Sequence, residues 1–132
     1  MNEAPCPLML GTGPGRCARC DSPLVGQQTR WCCGGCREWY YQNHWYSHAR
    51  RFVRRQARIR AGVYKCALCE KLTDEPEVDH IDPARSRHDK ESCIHHIANL
   101  RVLCRACHLP LTKAFVKAEA QRRKEERNVQ PA

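Results

Sequence analysis

Paired cysteines constrain this chain more than any other feature. Cys66 and Cys69 form one Cys-x2-Cys turn, and Cys104 and Cys107 form another. Two thiolates spaced by two residues can reach one ion from a tight turn, and two such turns complete a tetrahedron. This quartet reads as a structural zinc site. Upstream, Cys17 and Cys20 make a further knuckle, completed by Cys36 with either Cys32 or Cys33. A structural zinc site carries an apparent binding free energy on the order of 10 to 16 kcal/mol, more than the net stability of many small domains. Chains of 132 residues bury only a modest apolar core, so metal is expected to decide whether the region around the Cys66, Cys69, Cys104 and Cys107 quartet folds. Cys6 and Cys93 lack partners at knuckle spacing and are read as free thiols. His44 and His48, four apart on a predicted helix, are read as packing or surface residues in preference to ligands.

Nothing at the N-terminus reads as a signal peptide, and no apolar run approaches the roughly 18 to 20 residues of a membrane span. Clustered cysteines in a reducing compartment are metal ligands, not disulfides. The net charge of +9 points to a polyanionic partner. Arg50, Arg51, Arg54, Arg55, Arg58 and Arg60 crowd a segment almost without acids, so phosphate contact is expected there. The second basic cluster, RRKEER, alternates signs enough for pairing along a helix. The expected organisation is a flexible leader over residues 1–16, a zinc finger over 17–42, a basic amphipathic helix over 43–62, a second zinc-pinned unit over 63–127 and a frayed tail over 128–132. Helical periodicity begins at residue 37 and should end at Gly62. In the second unit, short strands are expected at VYK, VDHI and RVLC, a helical turn at HHIANL, and a final helix after Cys107. Pro110 is then expected in that helix's first turn, where backbone N–H groups lack partners anyway. The fold class is a small, zinc-stabilised α+β protein.

His108 follows the last knuckle directly, where a finished zinc site has no need of it. Successive helical residues point about 100° apart. With Cys107 turned to the zinc, His108 must face elsewhere. The stretch EVDHIDP offers it a companion in Asp79. Together they make an O,N pair with open positions, suited to a divalent cation of catalytic use. His80 beside that ion could accept a proton from water. Asn99 could accept from one imidazole nitrogen and so fix the tautomer.

CALC, VDHI, ANL and LCRACH, in that order, resemble the HNH endonucleases of the ββα-metal fold, which carry CxxC, a DH pair, NL and LCxxCH. The likeness spans about residues 63 to 120. It implies an HNH nuclease unit hydrolysing DNA phosphodiester bonds to 5′-phosphate and 3′-hydroxyl ends. By that likeness His80 is the general base, Asp79 and His108 hold the catalytic Mg²⁺ or Mn²⁺ (Ni²⁺ and Zn²⁺ are alternatives), and Asn99 orients the base. Cys66, Cys69, Cys104 and Cys107 would hold structural zinc. The front segment resembles zinc fingers that precede some HNH domains, which selects Cys17, Cys20, Cys32 and Cys36 for a second zinc. Arg50, Arg51, Arg54, Arg55 and Arg58 would touch DNA phosphates, with Asn43 and Gln56 open as base contacts. The setting implied is the cytoplasm, with coding by a prokaryote or phage. The loop between His80 and Asn99 departs from the family. It holds His88, Cys93, His95 and His96 where a glycine-rich turn is common, leaving a further metal contact open. Thr112-Lys113 also reverses the KT that many members place after the last histidine. Two rival readings use the same cysteines and charge: a non-catalytic zinc module that binds nucleic acid or protein, and a transcription regulator built on the front finger.

Overall fold

A computed structural model of the chain describes residues 6–83 and 89–129. The front segment is organised by turns. Residues 6–16, expected as a flexible leader, are tied to the first knuckle. Leu10 N–H donates to Arg19 O at 3.0 Å and Gly11 N–H to Ala18 O at 2.9 Å. Thr12 donates twice to Asp21 Oδ1. Gly11 is required by this close approach, because a Cβ there would lie 2.7 Å from both Ala18 Cα and Cys17 O. Residues 1–5 and the end of the expected tail, 130–132, lie outside the described residues.

The single helix expected over 37–61 is two. α1 spans Gly34–His44 and α2 spans Tyr46–Ala57, with Trp45 extended between them at φ −96° and ψ 120°. The break frees backbone groups for a distant segment. Tyr46 N–H donates to Lys90 O and Ser92 N–H to His44 O, each at 2.9 Å, and Trp45 pairs with Glu91 as a short bridge. Helical periodicity continues across residue 45, so a local pattern could not reveal a pairing 45 residues away. Ala49 is fully buried, and its small side chain lets α2 pack closely on the strands below. Phe52 and Val53 share its face, as their spacing predicts.

The helix also ends early. Arg58–Arg60 forms β1, pairing antiparallel with β2 (Val63–Lys65), which pairs in turn with β3 (Leu72–Thr73). Gly62, at φ 73°, closes the two-residue turn between β1 and β2 instead of capping the helix. That left-handed conformation is one glycine adopts without steric cost. A second sheet pairs β4 (Glu77–His80) antiparallel with β5 (Leu100–Leu103), in the register Asp79 to Arg101 and His80 to Leu100. Two 3₁₀ turns, Cys93–His95 and Ile97–Asn99, precede β5 where one helical turn was expected. α3 runs Arg105–Val129, so it starts before Cys107 and carries Pro110 inside it. The second knuckle drives the early start, since Cys107 and His108 N–H both donate to Cys104 O. Pro110 removes the donor for Ala106 O, but Ala106 is exposed and water can replace it.

The outcome is a small α+β protein with three α-helices and short antiparallel sheets among the described residues. Its buried apolar set is slight: Tyr40, Ala49, Leu100, Val102, Leu103 and three cysteines, Cys17, Cys36 and Cys66. No helix among the described residues is long and apolar enough to cross a membrane.

Candidate metal centres and active site

Each cysteine quartet rests on one repeated backbone turn. Asp21 N–H donates to Cys17 O, and Glu70 N–H to Cys66 O. Asp21 and Glu70 both take positive φ, 65° and 62°, which reverses the chain directly after the second thiol. The sulfur atoms of Cys17, Cys20, Cys32 and Cys36 lie within 4.8 Å of one another, as do those of Cys66, Cys69, Cys104 and Cys107. Thiolates about 2.3 Å from zinc stand about 3.8 Å apart at a tetrahedral angle. The Sγ separations are 3.6 Å for Cys20–Cys32, 3.7 Å for Cys32–Cys36 and 3.8 Å for Cys69–Cys104. Both quartets could therefore hold a metal ion, consistent with structural zinc. Cys32 belongs to the first group; Cys33 caps α1 instead, its Sγ accepting from Cys36 N–H.

Burial pushes the Cys66 thiol up, but backbone N–H groups of Cys69, Cys104 and Leu68 outweigh it and hold the thiol at about 6. Burial acts likewise on Cys17, where N–H groups of Cys20, Cys32 and Arg19 bring it to about 6. Cys107, hydrogen-bonded to the Cys104 sulfur and partly desolvated, is pushed up to about 12. At least one thiolate in each quartet is thus formed readily, while four together repel. A cation is what allows all four to ionise.

β4 carries the second constellation. Residues two apart share a strand face, so Glu77 and Asp79 both meet His108 on α3. Glu77 Oε2 accepts from His108 Nδ1–H at 2.7 Å. That contact leaves the Nε2 lone pair turned toward Asp79 Oδ1, 3.6 Å away. Two ligands at about 2.1 Å from an ion stand about 3.4 Å apart at a tetrahedral angle. That separation would let Asp79 and His108 share one divalent cation. The other oxygen of Asp79 accepts from Arg101 Nε at 2.9 Å across the sheet.

His80 ends β4. Its Nε2 lies 3.0 Å from His95 Nδ1, and His95 Nε2 lies 2.6 Å from Asp89 O. A carbonyl only accepts, so His95 Nε2 carries a proton. With both rings neutral, His95 Nδ1 then accepts and His80 Nε2 donates, which puts the His80 ring's lone pair on Nδ1. His95, 1% exposed, takes the tautomer-fixing role expected of Asn99. The Asn99 carboxamide instead spans the loop ends: Oδ1 accepts from Asp82 N–H, and Nδ2 donates to Asp82 O and Ile94 O. Tyr46 stacks on His80 at 5.5 Å between ring centroids. Asp79, His80, Arg101 and His108 line one cleft of about 420 Å³ together with Tyr46 and Phe115.

All five arginines expected to meet phosphate, Arg50, Arg51, Arg54, Arg55 and Arg58, line an adjoining groove that shares Tyr46 with the cleft. A smaller hollow with Arg50, Arg54, Glu77 and His108 in its wall lies between them. No described acid forms an ion pair with these arginines, and Arg54 Nε is buried without a hydrogen-bond partner among the described residues. Asn43 is excluded as a base contact: it is 5% exposed, and its amide is engaged with Trp39 O and Ile97 N–H.

Sequence reasoning missed Glu77, Arg101 and Tyr46, and, of His95, its contact with His80. Of these only Glu77 had a local signal, the alternation Glu-Val-Asp on one strand. Cys6 and Cys93, read as free thiols, are brought beside His44 and His96 in a third convergent group. Cys93-x2-His96 is a knuckle with imidazole as its second donor, and that spacing was the available clue. His48 points elsewhere, against Tyr41 and Ser47. His88 lies outside the described residues. No protein-family model, curated protein or solved structure matches the chain.

Proposed function

We propose that this chain is a metal-dependent DNA endonuclease of the HNH type, with β4, β5 and α3 as its ββα-metal unit and two cysteine quartets holding structural zinc. One observation carries the reading. The Asp79 carboxylate and the His108 Nε2 face each other at 3.6 Å, with Glu77 holding the tautomer that coordination requires and His80 in the same cleft.

Asp79 and His108 would hold the divalent ion, which when bound offsets charge developing on phosphate oxygens. The remaining work falls to the chain's own groups. Arg50, Arg54 and their neighbours bind the backbone phosphates and lead the strand toward Glu77 and His108. His80 Nδ1 takes a proton from the attacking water, and its Nε2–H holds the ring against His95. Arg101 keeps Asp79 in place from the neighbouring strand. General-base catalysis supplies about 10²- to 10⁴-fold; positioning and charge must provide the rest of an enzymatic acceleration.

Incubation of supercoiled plasmid with Mg²⁺ or Mn²⁺ tests the proposal. Nicking is expected from the wild-type chain, and His80→Ala should abolish it while retaining zinc and DNA affinity. Cutting by His80→Ala at the wild-type rate removes His80 from its role. DNA binding without nicking under any divalent ion favours a non-catalytic zinc module, for which the Asp79–Arg101 ion pair and the arginine groove would suffice.

A further inference from the structure

We propose that Cys6, His44, Cys93 and His96 form a third metal site, a two-cysteine, two-histidine centre that takes zinc and clamps the N-terminal segment to the loop behind His80. Their ligand atoms lie within 4.8 Å of one another. Cys6 Sγ stands 3.4 Å from His44 Nε2 and 3.5 Å from His96 Nε2. Sulfur at about 2.3 Å and nitrogen at about 2.05 Å from zinc are about 3.6 Å apart at a tetrahedral angle.

Hydrogen bonding makes the case stronger than distance alone. His44 Nδ1 meets Tyr40 O at 3.0 Å, and His96 Nδ1 meets Asn43 O at 2.7 Å. Carbonyl oxygens only accept, so both Nδ1 atoms carry protons. In neutral rings both Nε2 atoms then present lone pairs to the same sulfur. A thiol has one hydrogen and cannot serve both. Protonating both rings would set two cations edge to face with centroids 4.7 Å apart, one of them on a buried residue. A zinc ion resolves the conflict: it accepts both nitrogen lone pairs and displaces one proton from each of Cys6 and Cys93, leaving a neutral centre. Nδ1–H to carbonyl bonds are the outer-shell contacts that zinc-bound histidines ordinarily make. Thiolate with imidazole also selects zinc over magnesium.

The four ligands come from three stretches: the N-terminal segment, the last residue of α1, and the 3₁₀ turn at residues 93–96. Two backbone hydrogen bonds at the Trp45 break already align the second and third. His95, which touches His80, lies between ligands Cys93 and His96, so the site fixes the turn that orients the candidate base.

Metal content of the purified full chain, measured by mass spectrometry of the elements, tests the site. Three zinc equivalents are expected, one for each convergent group. Cys6→Ser with Cys93→Ser should remove one equivalent, and Cys33→Ser should remove none. Two equivalents in the wild type, or three retained in the double variant, overturn the proposal. If the double variant does not fold, thiol alkylation of the zinc-loaded wild type decides. Cys6 and Cys93 should react far more slowly than Cys33, and reaction at the same rate as Cys33 overturns the site. The loss of one equivalent on replacing Cys6 and Cys93 is independent of the nuclease reading: that loss without any cleavage by the wild type would leave this site standing and remove only the enzyme.

Discussion

Glu77 makes the sharpest test of the candidate active site, because it would act on a bound ion only through His108. Its Oε2 accepts from His108 Nδ1–H at 2.7 Å, on the side of the ring opposite Asp79. Glu77→Gln keeps the shape but removes the charge. The new amide can also donate to Nδ1, which would place a proton on Nε2 where the ion must bind. Losing such an outer-shell partner typically costs 10- to 100-fold in metal affinity, or about 1.4 to 2.7 kcal/mol. The Glu77 side chain is 39% exposed, so solvent screens part of its charge and the lower end applies. About a tenfold rise in the Mn²⁺ concentration for half-maximal nicking is expected. Manganese binding without DNA, followed by electron paramagnetic resonance, should shift by the same factor. Zinc content and DNA affinity should stay at wild-type values, and Glu75→Gln serves as the neighbouring control. Manganese titrations of Glu77→Gln that overlay the wild type would refute the coupling between Glu77 and the ion.

Replacing Arg50, Arg54 and Arg58 by Gln should flatten the salt dependence of DNA binding by about 0.9 for each phosphate no longer neutralised; an unchanged slope in a fluorescence titration would move the interface elsewhere. Gly11→Ala forces a Cβ to within 2.7 Å of backbone at Ala18 and Cys17. Overpacking of that kind costs about 1 to 3 kcal/mol, so the melting temperature should fall by about 3 °C or more, and equal melting would show that the N-terminal segment is not docked in solution.

The knuckles and the turning of His108 away from Cys107 were legible in the sequence because both depend on local geometry. A turn of two intervening residues sets the thiol spacing whatever surrounds it, and the 100° step of a helix separates His108 from Cys107 wherever the helix lies. Arginines clustered along α2 declared a basic face for the same reason. Tertiary structure decided everything that required distant segments to meet. Trp45 leaves the helix to pair with residues 90–92, which no periodicity around residue 45 records. His95 displaces Asn99 as the partner of His80 because a 3₁₀ turn swings it under the β4 end. Cys6 finds His44 across 38 positions and His96 across 90. Ligand spacing within a turn is a property of the chain; ligand convergence across the fold is a property of packing, and only the folded molecule discloses it.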